Sequence, residues 1–203
     1  MDIEIGQVIN NRYKVEKLLG RGGMAEVYKV WDEHRSTSLA MKVLREDLAE
    51  DKIFLRRFKR EAQQLARLQH PNIVRSYGID TDGNLVFLLM DYVEGTTLRK
   101  LIAGRDTPFS LAETLKIIAP ICGALSYAHR EGVIHCDVKP ANIMIRNNGE
   151  VLLADFGIAR QVDAATATMV GVGTPAYMAP EVILGKDPTP QTDIYALGIT
   201  LFE

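Results

Sequence analysis

The 203-residue chain reads as an α+β protein in two parts, a β-rich N-terminal lobe with one long helix followed by a mostly α-helical lobe. Three observations predict this. Apolar residues recur at strand spacing through most of the first ninety or so positions. Within that stretch the period turns helical once, over about Asp51–Gln69, where Phe54, Phe58, Ala62, Leu65 and Leu68 recur at spacings of three and four. Beyond the short linker Glu94-Gly95-Thr96, helical patterns dominate.

The elements follow in order. Tyr13–Leu19 and Glu26–Trp31 flank Gly20, Gly22 and Gly23 and form a hairpin, and Ser38–Leu44 is a third strand. His70-Pro71-Asn72 ends the helix that follows. Ile73–Ile79 and Leu85–Val93 are strands joined by the Asp82-Gly83 turn. Ser110-Leu111-Ala112-Glu113 is a capping box that opens a helix to about Arg130, with a kink expected at Pro120. Asn142–Arg146 and Glu150–Ala154 pair across Asn148-Gly149. A last helix starts near Thr192 and runs to Glu203.

Hydrophobic residues at 47% and charged residues at 25% exclude a disordered, collagen-like or coiled-coil chain. Twenty-four basic against 26 acidic residues exclude a polycation built for nucleic acid. Cys122 and Cys136 offer neither zinc spacing nor a disulfide framework, which points to a reducing, cytoplasmic compartment. The uninterrupted apolar stretches Ile117–Leu125 and Leu85–Met90 fall short of the ~20 residues of a membrane span. The acidic start Met1-Asp2-Ile3-Glu4 is unlike a signal peptide. The run Arg56-Arg57-Phe58-Lys59-Arg60 reads as the solvated face of an amphipathic helix.

Four segments carry chemistry. The hairpin Gly20-Arg21-Gly22-Gly23-Met24-Ala25-Glu26-Val27 lets backbone N–H groups approach phosphate oxygens, although alone it is only a turn. Lys42 sits among Ala40, Met41, Val43 and Leu44 and needs an anionic partner, for which Glu61, nineteen residues on, is the natural choice. His135-Cys136-Asp137-Val138-Lys139-Pro140-Ala141-Asn142 gathers an imidazole, an acid, a base and an amide. Asp155-Phe156-Gly157 follows, and Asn142 and Asp155 offer oxygen ligands of the kind Mg²⁺ prefers.

Taken together with Ala179-Pro180-Glu181 and the Asp193-Ile194-Tyr195-Ala196-Leu197-Gly198 helix, these segments resemble the protein kinase family, in order, from about Tyr13 to Glu203. Lys139-Pro140 and Gly173-Thr174-Pro175-Ala176-Tyr177 resemble the serine/threonine branch, and Gly22–Tyr28 resembles its bacterial members. The resemblance implies a bilobal protein-kinase-like fold in one kinase domain over 1–203, with an N-lobe over about 1–93, a hinge over about 91–96 and a C-lobe over about 95–203 that stops within the Asp193 helix.

It implies an ATP-dependent enzyme, with Mg²⁺ or Mn²⁺, that phosphorylates serine and threonine hydroxyls of proteins in bacterial signalling and phosphorylates itself, with dimerisation as one route. Leu19, Gly20, Arg21, Gly22, Gly23, Met24, Ala25, Glu26 and Val27 would cover the ATP phosphates. Lys42 would hold the α- and β-phosphates, oriented by Glu61. Leu19, Val27, Ala40 and Met144 would enclose the adenine, with the backbone of Asp91-Tyr92-Val93 bonding it and Met90 behind. Asn142 and Asp155 would hold the metal, Asp137 would accept the hydroxyl proton, Lys139 would steady the γ-phosphate and Asp193 would brace the catalytic loop. Thr166 and Thr168 would be autophosphorylation sites, while Thr174 would stay unmodified near Asp137 and Lys139.

Three positions and the end of the sequence depart from the family pattern. Cys136 replaces the usual arginine and cannot make a charge-assisted bond to a phosphothreonine, so loop phosphorylation is expected to control the chain weakly or by another route. It is expected to be a buried, inert thiol rather than a redox-sensitive one. Ala25 replaces the third glycine, and Ser76 stands where an apolar residue usually backs the Glu61 helix. Relatives continue beyond the Asp193 helix and supply an arginine for Glu181. Glu181 is thus expected to lack a charge partner, and Ile199, Leu201 and Phe202 to be exposed, lowering solubility and stability. The alternatives are an ATP-binding pseudokinase or scaffold, and a fragment inactive as written. Thr174 and Ala179-Pro180-Glu181 argue against a small-molecule kinase. No membrane segment is expected within 1–203, and a membrane anchor beyond Glu203 stays open.

Overall fold

Each of β2 (Tyr13–Arg21), β3 (Ala25–Asp32), β4 (Thr37–Leu44), β5 (Ser76–Asp82) and β6 (Leu85–Asp91) carries at least two β-branched or aromatic residues, the types that favour strands. With the short β1 (Val8–Ile9) they form a six-stranded antiparallel sheet in the order β1-β2-β3-β4-β6-β5. In this computed structural model the structure describes residues 3–157 and 175–203. They divide into a first unit, up to Arg67 plus Arg75–Tyr92, and a second, Leu68–Val74 plus the chain from Val93.

The first unit buries Ile9, Tyr13, Val15, Tyr28, Val30, Leu39, Met41, Val43, Phe87 and Leu89 together on one face of the sheet. Directly paired residues share a face. Val27 opposite Lys42, and Ala40 opposite Met90, therefore lie on the other face.

The helix expected over Asp51–Gln69 is α2 (Lys52–Leu65), and a short helix that was not expected, α1 (Glu46–Glu50), precedes it. Asp51 separates them because its Oδ1 accepts the N–H groups of Ile53 at 2.8 Å and Phe54 at 3.0 Å, an N-cap that restarts the helix. Phe54, Phe58, Ala62 and Leu65 form the buried stripe of α2, and the chain leaves the helix at Ala66, before Gln69.

The strand expected from Ile73 begins at Ser76. Ile73 instead bridges Leu153 in parallel within the second unit, where the Val74 N–H also bonds the Leu153 carbonyl at 2.9 Å. The same apolar alternation serves two different sheets, so period alone could not divide it.

In the second unit the expected linker holds β7 (Gly95–Thr97), which pairs with β8 (Ile143–Arg146), itself paired with β9 (Val151–Leu153). A Cβ on Gly95 would lie 2.1 Å from the Ile145 carbonyl oxygen, so only glycine allows this approach. Helix α3 (Leu98–Ala103) follows, capped by Thr97.

Helix α4 (Leu111–Arg130) starts at the expected capping box of Ser110 and Glu113, and it runs through Pro120. Its length and apolarity meet those of a membrane span, which the uninterrupted stretches did not. It buries Ile118, Ile121, Ala124, Leu125 and Ala128 in the core of the second unit.

After α5 (Pro180–Ile183) comes α6 (Pro190–Phe202). It begins before Thr192 because Thr189 caps it and Pro190 takes the first helical position, where a missing N–H costs nothing. Leu201 and Phe202 are exposed as expected, whereas Ile199 is half-buried.

Candidate active site

The second unit holds the loop His135–Asn142. Asp193, fully buried near the start of α6, accepts the backbone N–H of His135 on Oδ2 and that of Cys136 on Oδ1, both at 2.8 Å. His129 Nε2 lies 2.7 Å from Oδ2 of the same carboxylate. The buried charge is thus surrounded by donors, which its desolvation demands. Cys136 is held at a φ of 63°, a left-handed conformation unusual for a side chain with a Cβ.

His135 is fully buried. Its Nδ1 accepts the Asp137 N–H at 3.1 Å, so Nε2 carries the proton and donates to the Ala154 carbonyl at 3.0 Å. Burial pushes its pKa down, against the opposing pull of Asp193 and Asp137, and keeps the ring neutral. Its ring tilts on Phe156 with centroids 4.4 Å apart, and its carbonyl accepts the Gly157 N–H at 2.7 Å. The imidazole therefore ties the Asp137 loop to the Asp155-Phe156-Gly157 segment.

Asp137 is oriented by two neighbours. Lys139 Nζ lies 2.9 Å from its Oδ2, and Asn142 Nδ2 donates to the same oxygen at 3.0 Å and to the Asp137 carbonyl at 2.8 Å. These two bonds fix the Asn142 amide and leave its Oδ1 for another ligand. Asp155 is exposed, at a φ of 57°. Among the described residues no group of three or more His, Cys, Asp or Glu forms a metal cage. One amide oxygen and one carboxylate suit Mg²⁺, which completes its shell with water and substrate phosphates.

A crevice of about 20 Å³ connects Asp137 and Cys136 to Tyr177, Met178, Ala179 and Thr192. Tyr177, in the 3₁₀ turn Pro175–Tyr177, donates its hydroxyl to Glu203 and accepts from Arg99 Nη2 at 2.7 Å. Burial and the Glu203 bond push the Tyr177 pKa up to about 12. Glu181 accepts the Thr192 hydroxyl at 2.9 Å, a neutral donor, and forms no ion pair among the described residues, as expected.

The first unit holds the glycine-rich hairpin and Lys42. Gly22 N–H bonds the Ala25 carbonyl at 2.9 Å, and Arg21 pairs with Glu26 at 2.9 Å across the hairpin. Arg45 anchors the tip, donating from Nη1 to the Gly23 carbonyl and from its backbone N–H to the Met24 carbonyl, each at 3.0 Å. Lys42, Val27, Ala40 and Met90 share the sheet face away from the hydrophobic cluster. Ser76, buried, has its hydroxyl 3.4 Å from the Gly78 N–H as a partner.

Glu61 is the exception to the expected constellation. Its Oε2 is buried without a hydrogen bond among the described residues, and no ion pair between it and Lys42 is found there. Burial raises its pKa to about 7, against the weaker pull of Arg60 and Arg57.

Thr166, Thr168 and Thr174 lie outside the described residues. Arg45, His129 and Arg99 were missed by sequence reasoning. Each is a single polar residue whose partner is distant in sequence or on the main chain, so no local spacing marks it.

The sequence matches the protein kinase domain family over residues 13–203. It is 41% identical over 201 residues to the serine/threonine-protein kinase PrkC of Bacillus subtilis, covering 98% of this chain and 31% of that protein. It is 42% identical over 205 residues to the serine/threonine-protein kinase PknB of Mycolicibacterium smegmatis, covering 97% and 33%. The fold matches the crystal structure of the Mycobacterium tuberculosis PknI kinase domain with a TM-score of 0.81 at 35% identity, covering 98% of this chain and 76% of that one. The chain spans about a third of the length of the curated relatives it matches. The ordered motifs, the Asp193-clamped loop and these likenesses agree, and the chain belongs to the protein kinase family, among relatives that are bacterial serine/threonine-protein kinases.

Proposed function

We propose that this chain transfers the γ-phosphate of ATP to serine and threonine hydroxyls of proteins, in the cytoplasm and as part of bacterial signalling, and that it also phosphorylates itself on Thr166 or Thr168, with a second copy as one possible acceptor. The observation that carries the reading is the orientation of Asp137 by Lys139 and Asn142. A carboxylate held in this way accepts the proton of an attacking hydroxyl, while the adjacent ammonium meets charge on the transferred phosphoryl.

Asn142 Oδ1 and Asp155 would hold Mg²⁺ or Mn²⁺. When bound, that ion neutralises phosphate oxygens as charge shifts toward the leaving group. Lys42 would hold the α- and β-phosphates, and the backbone of 19–27 would cover them. Leu19, Val27, Ala40 and Met144 would pack on the adenine, Asp91 and Val93 would bond it through their main chain, and Met90 would close the back of that pocket. The Arg45 bonds to Gly23 and Met24 support a preformed hairpin tip. Glu61 would orient Lys42 once the two meet.

One observation favours a second reading, nucleotide binding without transfer: Glu61 carries a buried oxygen with no partner among the described residues. Incubation with γ-labelled ATP, Mg²⁺ and a protein substrate, followed by phosphoamino-acid separation, decides between them. Label on serine or threonine supports transfer. Nucleotide binding with no label, or label confined to tyrosine, overturns it.

A further inference from the structure

We propose that the solvent face of α2 is a docking surface for an acidic segment of a partner protein. Lys52, Arg56, Lys59 and Gln63 follow one another at spacings of four, three and four, with Arg60 beside them, and all five are exposed. The buried stripe Phe54, Phe58, Ala62 and Leu65 lies on the opposite side, so folding makes no use of this face.

Among the described residues no ion pair compensates the charge on it. The one acidic residue inside α2 is Glu61, at the edge of the buried side, and the carboxylate of Asp51 is occupied as the N-cap. None of Lys52, Arg56, Lys59 and Arg60 forms an ion pair among the described residues. Elsewhere arginines are met by carboxylates, as in Arg12–Asp32, Arg45–Asp47 and Arg105–Glu113.

Placement makes this patch unfavourable for the isolated helix. The first turn of α2 has no acidic residue and begins with Lys52, at the end where the helix dipole is positive and a carboxylate would be stabilising. Cations in successive turns also repel one another. An acidic ligand laid along the face relieves both terms.

The neighbourhood selects a narrow ligand. Helix α1, packed against α2, exposes Glu46, Asp47 and Glu50. A flat anionic membrane or a nucleic-acid duplex laid across both helices would bring its charge close to Glu50, which forms no ion pair among the described residues. A single acidic segment, one chain wide, lies along α2 alone. Ile53 is exposed at the rim of the face and offers an apolar contact to such a segment.

The test uses the whole chain and a short fluorescein-labelled peptide of glutamates with interspersed leucines, read by anisotropy. The triple reversal Lys52→Glu, Arg56→Glu and Lys59→Glu should weaken binding by about tenfold or more, the scale of three exposed ion pairs lost. Added salt should weaken the parent in the same direction. The reversal Lys14→Glu, Lys17→Glu and Lys116→Glu makes the same charge change at exposed sites off this face and should leave binding within about twofold, a difference small beside a lost set of pairs.

Lys52→Glu puts a carboxylate in the first turn, so the triple variant should melt no lower than the parent. Should it unfold, the neutral pair Lys52→Gln and Lys59→Gln replaces it, with a loss of about threefold expected for two exposed pairs. Equal losses from both reversals, or an α2 reversal without effect, overturn the proposal. So does α2-dependent binding of phosphatidylserine vesicles or a DNA duplex with no peptide binding.

Discussion

Asp193 and Cys136 are joined by a 2.8 Å bond from the Cys136 N–H to Oδ1, and Cys136 keeps its left-handed φ of 63° while making it. A side chain with a Cβ holds that conformation at a cost of about 1 kcal/mol or more, so something must over-determine it. The Asp193 carboxylate does so, binding two consecutive N–H groups that carry Asp137 into place.

Asp193→Ala should leave those buried N–H groups and His129 without their acceptor. A loss of about 3 kcal/mol of unfolding free energy is expected. Urea denaturation measures it, and phosphotransfer should fall with it because Asp137 loses its position.

Glu61 gives a pH signature. Its carboxyl pKa is raised from 4.5 to about 7 by burial. Between those values the folded chain keeps a proton that the unfolded chain releases, so stability falls as pH rises across the window and the full cost is present above pH 7. The melting-temperature difference between Glu61→Gln and the parent should be small at pH 4.5, grow through pH 7 in favour of the variant, and then level off. The same variant should lower phosphotransfer, since the role proposed for Glu61 is to orient Lys42 through its charge.

Gly157→Ala should impair turnover more than folding. The added Cβ would meet the His135 carbonyl at 3.1 Å, Asp137 Cβ at 3.3 Å and Cys136 Cβ at 3.4 Å. Each contact is tight enough to shift the catalytic loop by a few tenths of an ångström. A kcat reduced about tenfold or more with a near-parental melt is expected, since small misplacements of reacting groups are costly.

Gly95→Ala acts on the fold instead. A Cβ 2.1 Å from the Ile145 oxygen must separate β7 from β8. A destabilisation of about 2 kcal/mol or more is expected, measurable in urea, with overpacking as its cause.

The sequence was most legible where the signal is local. The Ser110–Glu113 capping box, the glycine hairpin and the helical stripe from Phe54 to Leu65 appear where periodicity and cap chemistry place them. It was least legible where one apolar run is shared between sheets, as at Ile73, or where a strand is three residues long, as at β7. Within the site, Asp137, Lys139 and Asn142 do converge. The anchors Arg45 and His129 are set by contacts across many residues and have no pattern to be read. Glu61 was visible as an acid on the rim of an amphipathic helix, but whether its carboxylate meets Lys42 depends on helix placement, which residue spacing does not encode.

Single-turnover transfer of the γ-phosphate at saturating ATP and Mg²⁺, comparing the parent with Asp137→Asn, tests the central claim most directly. The variant keeps the shape and loses the proton acceptor. The account predicts unchanged nucleotide binding and a transfer rate lower by about 10² to 10⁴, the range of a lost general base. Equal rates in parent and variant would contradict it.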